Sequence, residues 1–243
     1  MRALPQTEGE TLREAPSSGK HDRLVGRGAF LGIVVTGVAG LFFGKDAVRA
    51  IRGIVPSSVG ALVPTAGWRI YTIGDRMPAI DPAMWRLRVE GLVAQPLSLS
   101  LADVKRLPRA EQVSDFHCVT GWSVNDVHWA GVRFQHLLAA AGPLPGAGAI
   151  RFVSDEVPYE DSLTLDQALL PDVMLAYEMD GAPLSRPHGA PARVVIPRMY
   201  GYKSVKWVTR IELVPRAEPG YWEQRGYDSD AWVGKSNGLD PSA

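Results

Sequence analysis

Apolar residues recur along this chain in short runs of period two, broken by glycine and proline. That rhythm predicts many short strands with a few helices between them. The patterning is tightest after Trp68. Residues 68–73 (WRIYTI) alternate as a strand, and in 85–93 (WRLRVEGLV) Trp85, Leu87 and Val89 share one face. Ser100 is placed to cap a helix with Asp103 three residues on, and Pro108 ends it. Residues 110–122 (AEQVSDFHCVTGW) read as a strand running into a turn at Gly121. Residues 129–142 carry a helical stripe of Val132, Leu137, Leu138 and Ala141, with Gly142 just past its end. A strand is expected at 149–154. In 162–181 a helix held by Leu165, Ala168 and Leu169 should give way to a short strand through Leu175 and Tyr177, ending at Asp180–Gly181. Residues 191–197 (PARVVIP) predict a buried strand and 205–214 an alternating one. Without regular βαβ alternation, the chain reads as an α+β protein, an irregular mixed-sheet domain.

Ahead of that domain the pattern changes. Residues 1–27 are polar and rich in Ser, Pro, Glu and Arg, as in a disordered N-terminal tail. Residues 28–44 are uncharged throughout, and as a helix would reach ~25 Å, the short edge of a membrane span. With Arg23 and Arg27 before it, this segment is expected to be an export signal or membrane anchor, placing the protein outside the cytoplasm. GRGAFLG resembles a twin-arginine export signal, although the adjacent arginine pair is absent. Residues 45–67 read as a linker, 68–214 as the main domain, and 215–243 as a polar and aromatic tail packed on it.

Composition narrows the chemistry. Lys plus Arg (26) equals Asp plus Glu (26), a balance that gives no support to nucleic acid as a partner. The single cysteine excludes an intrachain disulfide and any multi-cysteine zinc or iron–sulfur site. Cys118 is left as a buried structural thiol, a nucleophile, or one thiolate ligand to a soft metal. A nucleophile would need a histidine brought in by the fold, because His117 points the other way on a strand. No GxGxxG, GxxxxGK[ST] or HExxH motif is present.

A second cluster runs from 185 to 206, SRPHGAPARVVIPRMYGYKSVK. Around one buried strand it places His188, Arg193 and Arg198, then Tyr200, Gly201, Tyr202, Lys203 and Lys206. The planar fork of arginine and the compact charge of lysine together suit an anion such as a phosphate or a sulfur oxyanion. Cations flanking a strand are also common as solvated residues, and His188 alone would fit a structural histidine.

Together, the lone cysteine in DFHCVTGWS and the stretch GAPLSRPHGAPARVVIPRMYGYKSVKWVTRIEL resemble the central domain of the sulfite oxidase superfamily of molybdopterin enzymes. The similarity is greater to small bacterial members, such as the catalytic subunit of periplasmic methionine sulfoxide reductase. It covers roughly residues 68–214. The resemblance implies a molybdenum–molybdopterin cofactor with Cys118 as its metal ligand, and cofactor contacts from Tyr71, Ser154, His188, Arg193, Lys203, Ser204, Val205 and Lys206. It also implies oxygen-atom transfer, or reduction of a small oxidised substrate of sulfoxide type, with electrons exchanged through a separate partner. A membrane haem or quinone protein would suit that role, and a monomer is the expected state. The residues after Cys118 are VTGWS, without the arginine pair of true sulfite oxidases, so sulfite is not implied. Two other classes stay open: a cofactor- or anion-binding protein without catalysis, and a cysteine-dependent hydrolase.

Overall fold

The computed structural model describes residues 67–234 and the short strand Arg23–Val25 (β1). The expected disordered tail at 1–27 apart from Arg23–Val25, the export signal at 28–44, and the linker at 45–67 apart from Gly67 lie outside the described residues. Among the described residues no helix is long and apolar enough to cross a membrane.

β1 runs parallel to β2 (Arg69–Tyr71). β3 (Arg86–Gly91) buries Leu87 and Val89 and turns Arg86 and Arg88 outward, the alternation of a one-sided strand. β4 (Leu97–Ser100) leads into α1 (Leu101–Arg106) through a capping box. The Asp103 N–H donates to Ser100 Oγ at 3.1 Å and the Ser100 N–H to Asp103 Oδ2 at 2.8 Å. β5 (Arg109–Cys118) and β6 (Trp122–Arg133) form a long hairpin. α2 (Phe134–Ala141) follows at once and ends at Gly142, whose φ of 66° provides the left-handed cap. β7 (Ala149–Ser154) and β8 (Glu160–Thr164) precede the single turn α3 (Leu165–Ala168). β9 (Met174–Met179), β10 (Ala182–Pro183), β11 (Arg193–Val195) and β12 (Val208–Val214) complete the order.

Two five-stranded sheets result. The first runs β4-β3-β12-β7-β8, with β12 parallel to β3 and its other pairings antiparallel. The second runs β10-β9-β6-β5, with β11 also paired to β9. The larger core joins the first sheet to α2 and one face of the second, and Phe134 meets Phe152 there at 5.3 Å between centroids. A smaller aromatic core, with Trp68, Trp122 and Trp129, covers the other face of the second sheet. β9 is therefore buried on both faces: Leu175 and Tyr177 enter one core, Met174 and Ala176 the other.

The mixed-sheet α+β architecture agrees with the sequence reading, with two local differences. The helix expected from 129 starts only at Phe134, because Trp129–Arg133 belong to β6 and pair with β9. The helix expected at 162–169 is a strand followed by one turn capped by Thr164 and Gln167. Beyond β12 the chain packs inward, burying Tyr221, Trp222 and Tyr227.

Candidate functional site

Cys118 closes β5 at the tip of the hairpin. The Gly121 N–H donates to Cys118 O at 3.0 Å, and Gly121 holds a φ of 86° that a side chain would resist. The thiol is half-buried, with Thr120 Oγ1 at 3.2 Å from Sγ. Burial pushes its pKa up, against smaller stabilising contributions to the anion from Thr120, Arg69 and Trp122. His117 faces away and contacts Ser123 Oγ at 2.8 Å, as strand alternation requires.

The sulfur opens into a cavity of about 820 Å³ of empty space, part of it continuous with solvent. Of the residues singled out in the sequence, Tyr71, Cys118, Arg193, Ser204 and Lys206 line it together. Arg193 is 3% exposed. Its guanidinium donates to His188 O at 3.2 Å and Ser204 O at 3.3 Å, and lies 5.4 Å from the ring centroids of both Phe116 and Trp129. Burial draws its pKa down to about 10. Lys206 donates to Tyr71 O at 2.8 Å and sits 4.1 Å from the Trp207 ring centroid. Burial first, and the Arg193 charge second, bring its pKa down to about 7, with Glu156 opposing them.

Other residues singled out stand behind this wall. Ser154 donates to Lys206 O at 2.8 Å and accepts from the Glu156 N–H. His188 is buried edge-on to Trp68 at 4.8 Å, and Gly189 follows it with a φ of 100° where a Cβ would meet Lys206 Cβ at 2.9 Å. Val205 is buried and its carbonyl accepts the Val194 N–H. Lys203 turns elsewhere: its ammonium lies 2.5 Å from Asp161 Oδ1 and also contacts Ser162 O and the Glu223 carboxylate.

Glu156, Trp122, Trp222 and Tyr227 also line the cavity, and sequence reasoning did not single them out as contacts. Glu156 accepts the Ile73 N–H at 2.8 Å and the Gly74 N–H at 3.3 Å. The aromatic signal of YWEQRGY was visible in the sequence; its return to the cavity depends on tertiary packing.

The arrangement suits a particular kind of ligand. Arg193 and Lys206 are desolvated cations, with Glu156 offsetting charge at Lys206, and the remaining buried positive charge favours an anionic occupant. The described residues contain no group of three or more His, Cys, Asp or Glu side chains able to hold a bare metal ion. A metal at Cys118 would therefore bring most of its ligands with it, with the soft thiolate completing the set. A pterin-borne molybdenum with a phosphate group fits both conditions.

The comparisons with known proteins agree. A family model described as the oxidoreductase molybdopterin binding domain matches residues 74–222. The uncharacterized oxidoreductase YuiH of Bacillus subtilis (strain 168) is 38% identical over 194 residues, covering 79% of this chain and 96% of that protein. Sulfite oxidase of Gallus gallus is 34% identical over 62% of this chain and 39% of its own length. The protein-methionine-sulfoxide reductase catalytic subunit MsrP of Ralstonia nicotianae (strain ATCC BAA-1114 / GMI1000) is 33% identical, over 59% and 47% respectively. Among solved structures, the sulfane dehydrogenase SoxCD from Paracoccus pantotrophus superposes with a TM-score of 0.55 at 27% identity, covering 58% of this chain and 41% of that one. The chain thus spans less than half the length of these last three relatives.

Proposed function

Because the chain belongs to the oxidoreductase molybdopterin binding domain family, we propose that it is a molybdenum enzyme reducing a small sulfoxide-type substrate, with Cys118 as the metal's protein ligand. One observation carries this reading: a single cavity joins the only thiol of the chain to the buried cations Arg193 and Lys206. When bound, the molybdenum–molybdopterin cofactor supplies oxygen-atom transfer coupled to a two-electron change at the metal.

The chain's own residues bind, orient and shield. Burial keeps the Cys118 thiol protonated, so it sheds its proton when it takes up a metal. Arg193 would hold the anionic part of the cofactor from a fixed position, since its guanidinium is braced by two carbonyls and two rings. Lys206 and the Ser204 hydroxyl would complete that cradle, and a phosphate beside Lys206 would restore the proton that burial weakens. His188, Ser154 and Val205 support it from behind. Tyr71, Trp122, Trp222 and Tyr227 wall the chamber near the sulfur with aromatic surface, which suits a neutral organosulfur group. Electrons would come from a separate donor, a membrane haem or quinone protein, at an extracytoplasmic site to which residues 28–44 deliver or anchor the enzyme. The similarity to MsrP, the catalytic subunit of a protein-methionine-sulfoxide reductase, supports the sulfoxide assignment.

The test is elemental analysis of protein from a host that makes the cofactor, beside Cys118→Ser and with an artificial electron donor. The reading expects about one molybdenum per chain, reoxidation by methionine sulfoxide, and loss of both in the mutant, since removing even a hydrogen-bond partner of a metal ligand costs about 10–100-fold. A parent without molybdenum refutes it. A loaded parent whose metal never changes oxidation state leaves only a cofactor-binding protein.

A further inference from the structure

Cys118 and Trp122 stand opposite each other across the β5–β6 hairpin, in register, and both line the cavity. Directly opposed residues of an antiparallel pair project from the same face, with Cβ atoms ~4.5–5.5 Å apart. The indole is 4% exposed. It is held by Trp68, Tyr71 and Phe116 at centroid distances of 6.3, 6.3 and 5.9 Å. Its N–H is buried without a full hydrogen bond, and such groups are rare enough in folded proteins to need an explanation. Trp129 has the other orphaned indole N–H among the described residues, but it does not line the cavity. For Trp122 the available acceptor is the Cys118 sulfur, whose anion it favours alongside the Thr120 hydroxyl. A neutral thiol is a weak acceptor, whereas a thiolate takes a charge-assisted hydrogen bond.

We propose that Trp122 is a positioning residue whose indole N–H donates to the Cys118 sulfur once that sulfur is a metal-bound thiolate. The inference rests on Cys118 being the molybdenum ligand. The hydrogen bond fixes the sulfur's orientation and withdraws electron density from it. Outer-shell donors of this kind are a recognised control on metal-site potentials. Less donation from sulfur stabilises the reduced metal, so the N–H raises the reduction potential.

The experiment compares the loaded parent enzyme with Trp122→Phe and with benzothienylalanine at position 122, which keeps the bicyclic shape and replaces N–H by sulfur. Molybdenum content, the paramagnetic molybdenum signal and the potential from a redox titration are measured on each. Both variants are expected to retain molybdenum and to show an altered signal. Their one-electron reduction equilibrium should be about tenfold less favourable, a downward shift of ~59 mV. Thr120→Val, which removes the other donor, should add to the shift. If the phenylalanine variant fails to fold, the benzothienylalanine protein decides. A fully loaded benzothienylalanine protein with the parent's potential and spectrum overturns the proposal. A parent enzyme without molybdenum overturns the assignment of Cys118 and this inference together, so the two failures are told apart by the metal content alone.

Discussion

Replacing Lys203 with methionine removes an ammonium that two buried carboxylates share, and the consequences can be worked out before the measurement. Lys203, Asp161 and Glu223 side chains are 3%, 2% and 2% exposed. Methionine keeps most of the apolar stem but leaves both acids without their counter-charge. Stranding one partner of a buried pair costs about 3–5 kcal/mol, which is ~6–20 °C in Tm for a domain of this size. The effect depends on pH with a definite sign. Burial, assisted by Glu223 and opposed by Lys203, lifts the Asp161 pKa to about 8. The folded state therefore keeps a proton that the unfolded chain releases near pH ~4, and parent stability falls as pH rises from about 4 towards 8. Without the ammonium Asp161 holds its proton more tightly still, so the loss in Lys203→Met is larger at pH 8 than at pH 5. Urea unfolding of the cofactor-free proteins, followed by circular dichroism at both pH values, reads this directly. Adding Asp161→Asn and Glu223→Gln to the methionine variant should recover much of the stability. A loss below ~1 kcal/mol, or unchanged stability with failed cofactor loading, refutes the reasoning and puts the Lys203 charge on the ligand.

Two further outcomes are expected. Sulfate, whose charge is constant near neutrality, should bind the cofactor-free cavity more weakly as pH rises through about 7, because Lys206 then loses its proton; isothermal titration should show that dependence abolished in Lys206→Met, and an unchanged profile there would count against it. Gly201→Ala should destabilise the protein by about 1–3 kcal/mol, since its Cβ would lie 2.2 Å from Phe116 Cζ in the ring that flanks Arg193; a thermal melt matching the parent would show that the ring moves freely.

Much of the scaffold can be read locally because local forces decide it. The Ser100–Asp103 cap, the one-sided alternation of Leu87 and Val89, and the Gly121 turn after Cys118 each depend on residues a few positions apart. The errors have a common physical source. Trp129, Ala130 and Val132 are all buried because β6 lies between β5 and β9 with a core on each face. Alternation disappears in such a strand, and continuous burial can be taken for a helix. Gly131 adds a clue that only the structure explains: a Cβ there would meet Leu175 O at 2.1 Å, the backbone of the neighbouring strand. At the site, Cys118, Arg193 and Lys206 stood out by chemistry. Glu156 did not, because its place depends on accepting backbone N–H groups from residues 73 and 74, over eighty positions away. Lys203 and Lys206 looked alike in the sequence and diverge in the fold, one meeting Asp161 and Glu223, the other facing the cavity.

The aromatic wall also bears on the order of events during synthesis. Trp222 and Tyr227 reach the cavity in a stretch that, among the described residues, is anchored to earlier parts of the chain. The Tyr221 N–H meets Glu160 O, Glu223 meets Lys203, and the Tyr200 N–H meets Ala231 O. A ribosome delivers this stretch after the strands of both five-stranded sheets, so those sheets and the thiol can be in place while that side of the chamber is still missing. Docking of Trp222 and Tyr227 then completes the wall, so the sequence position of two aromatic residues sets when the chamber can be finished.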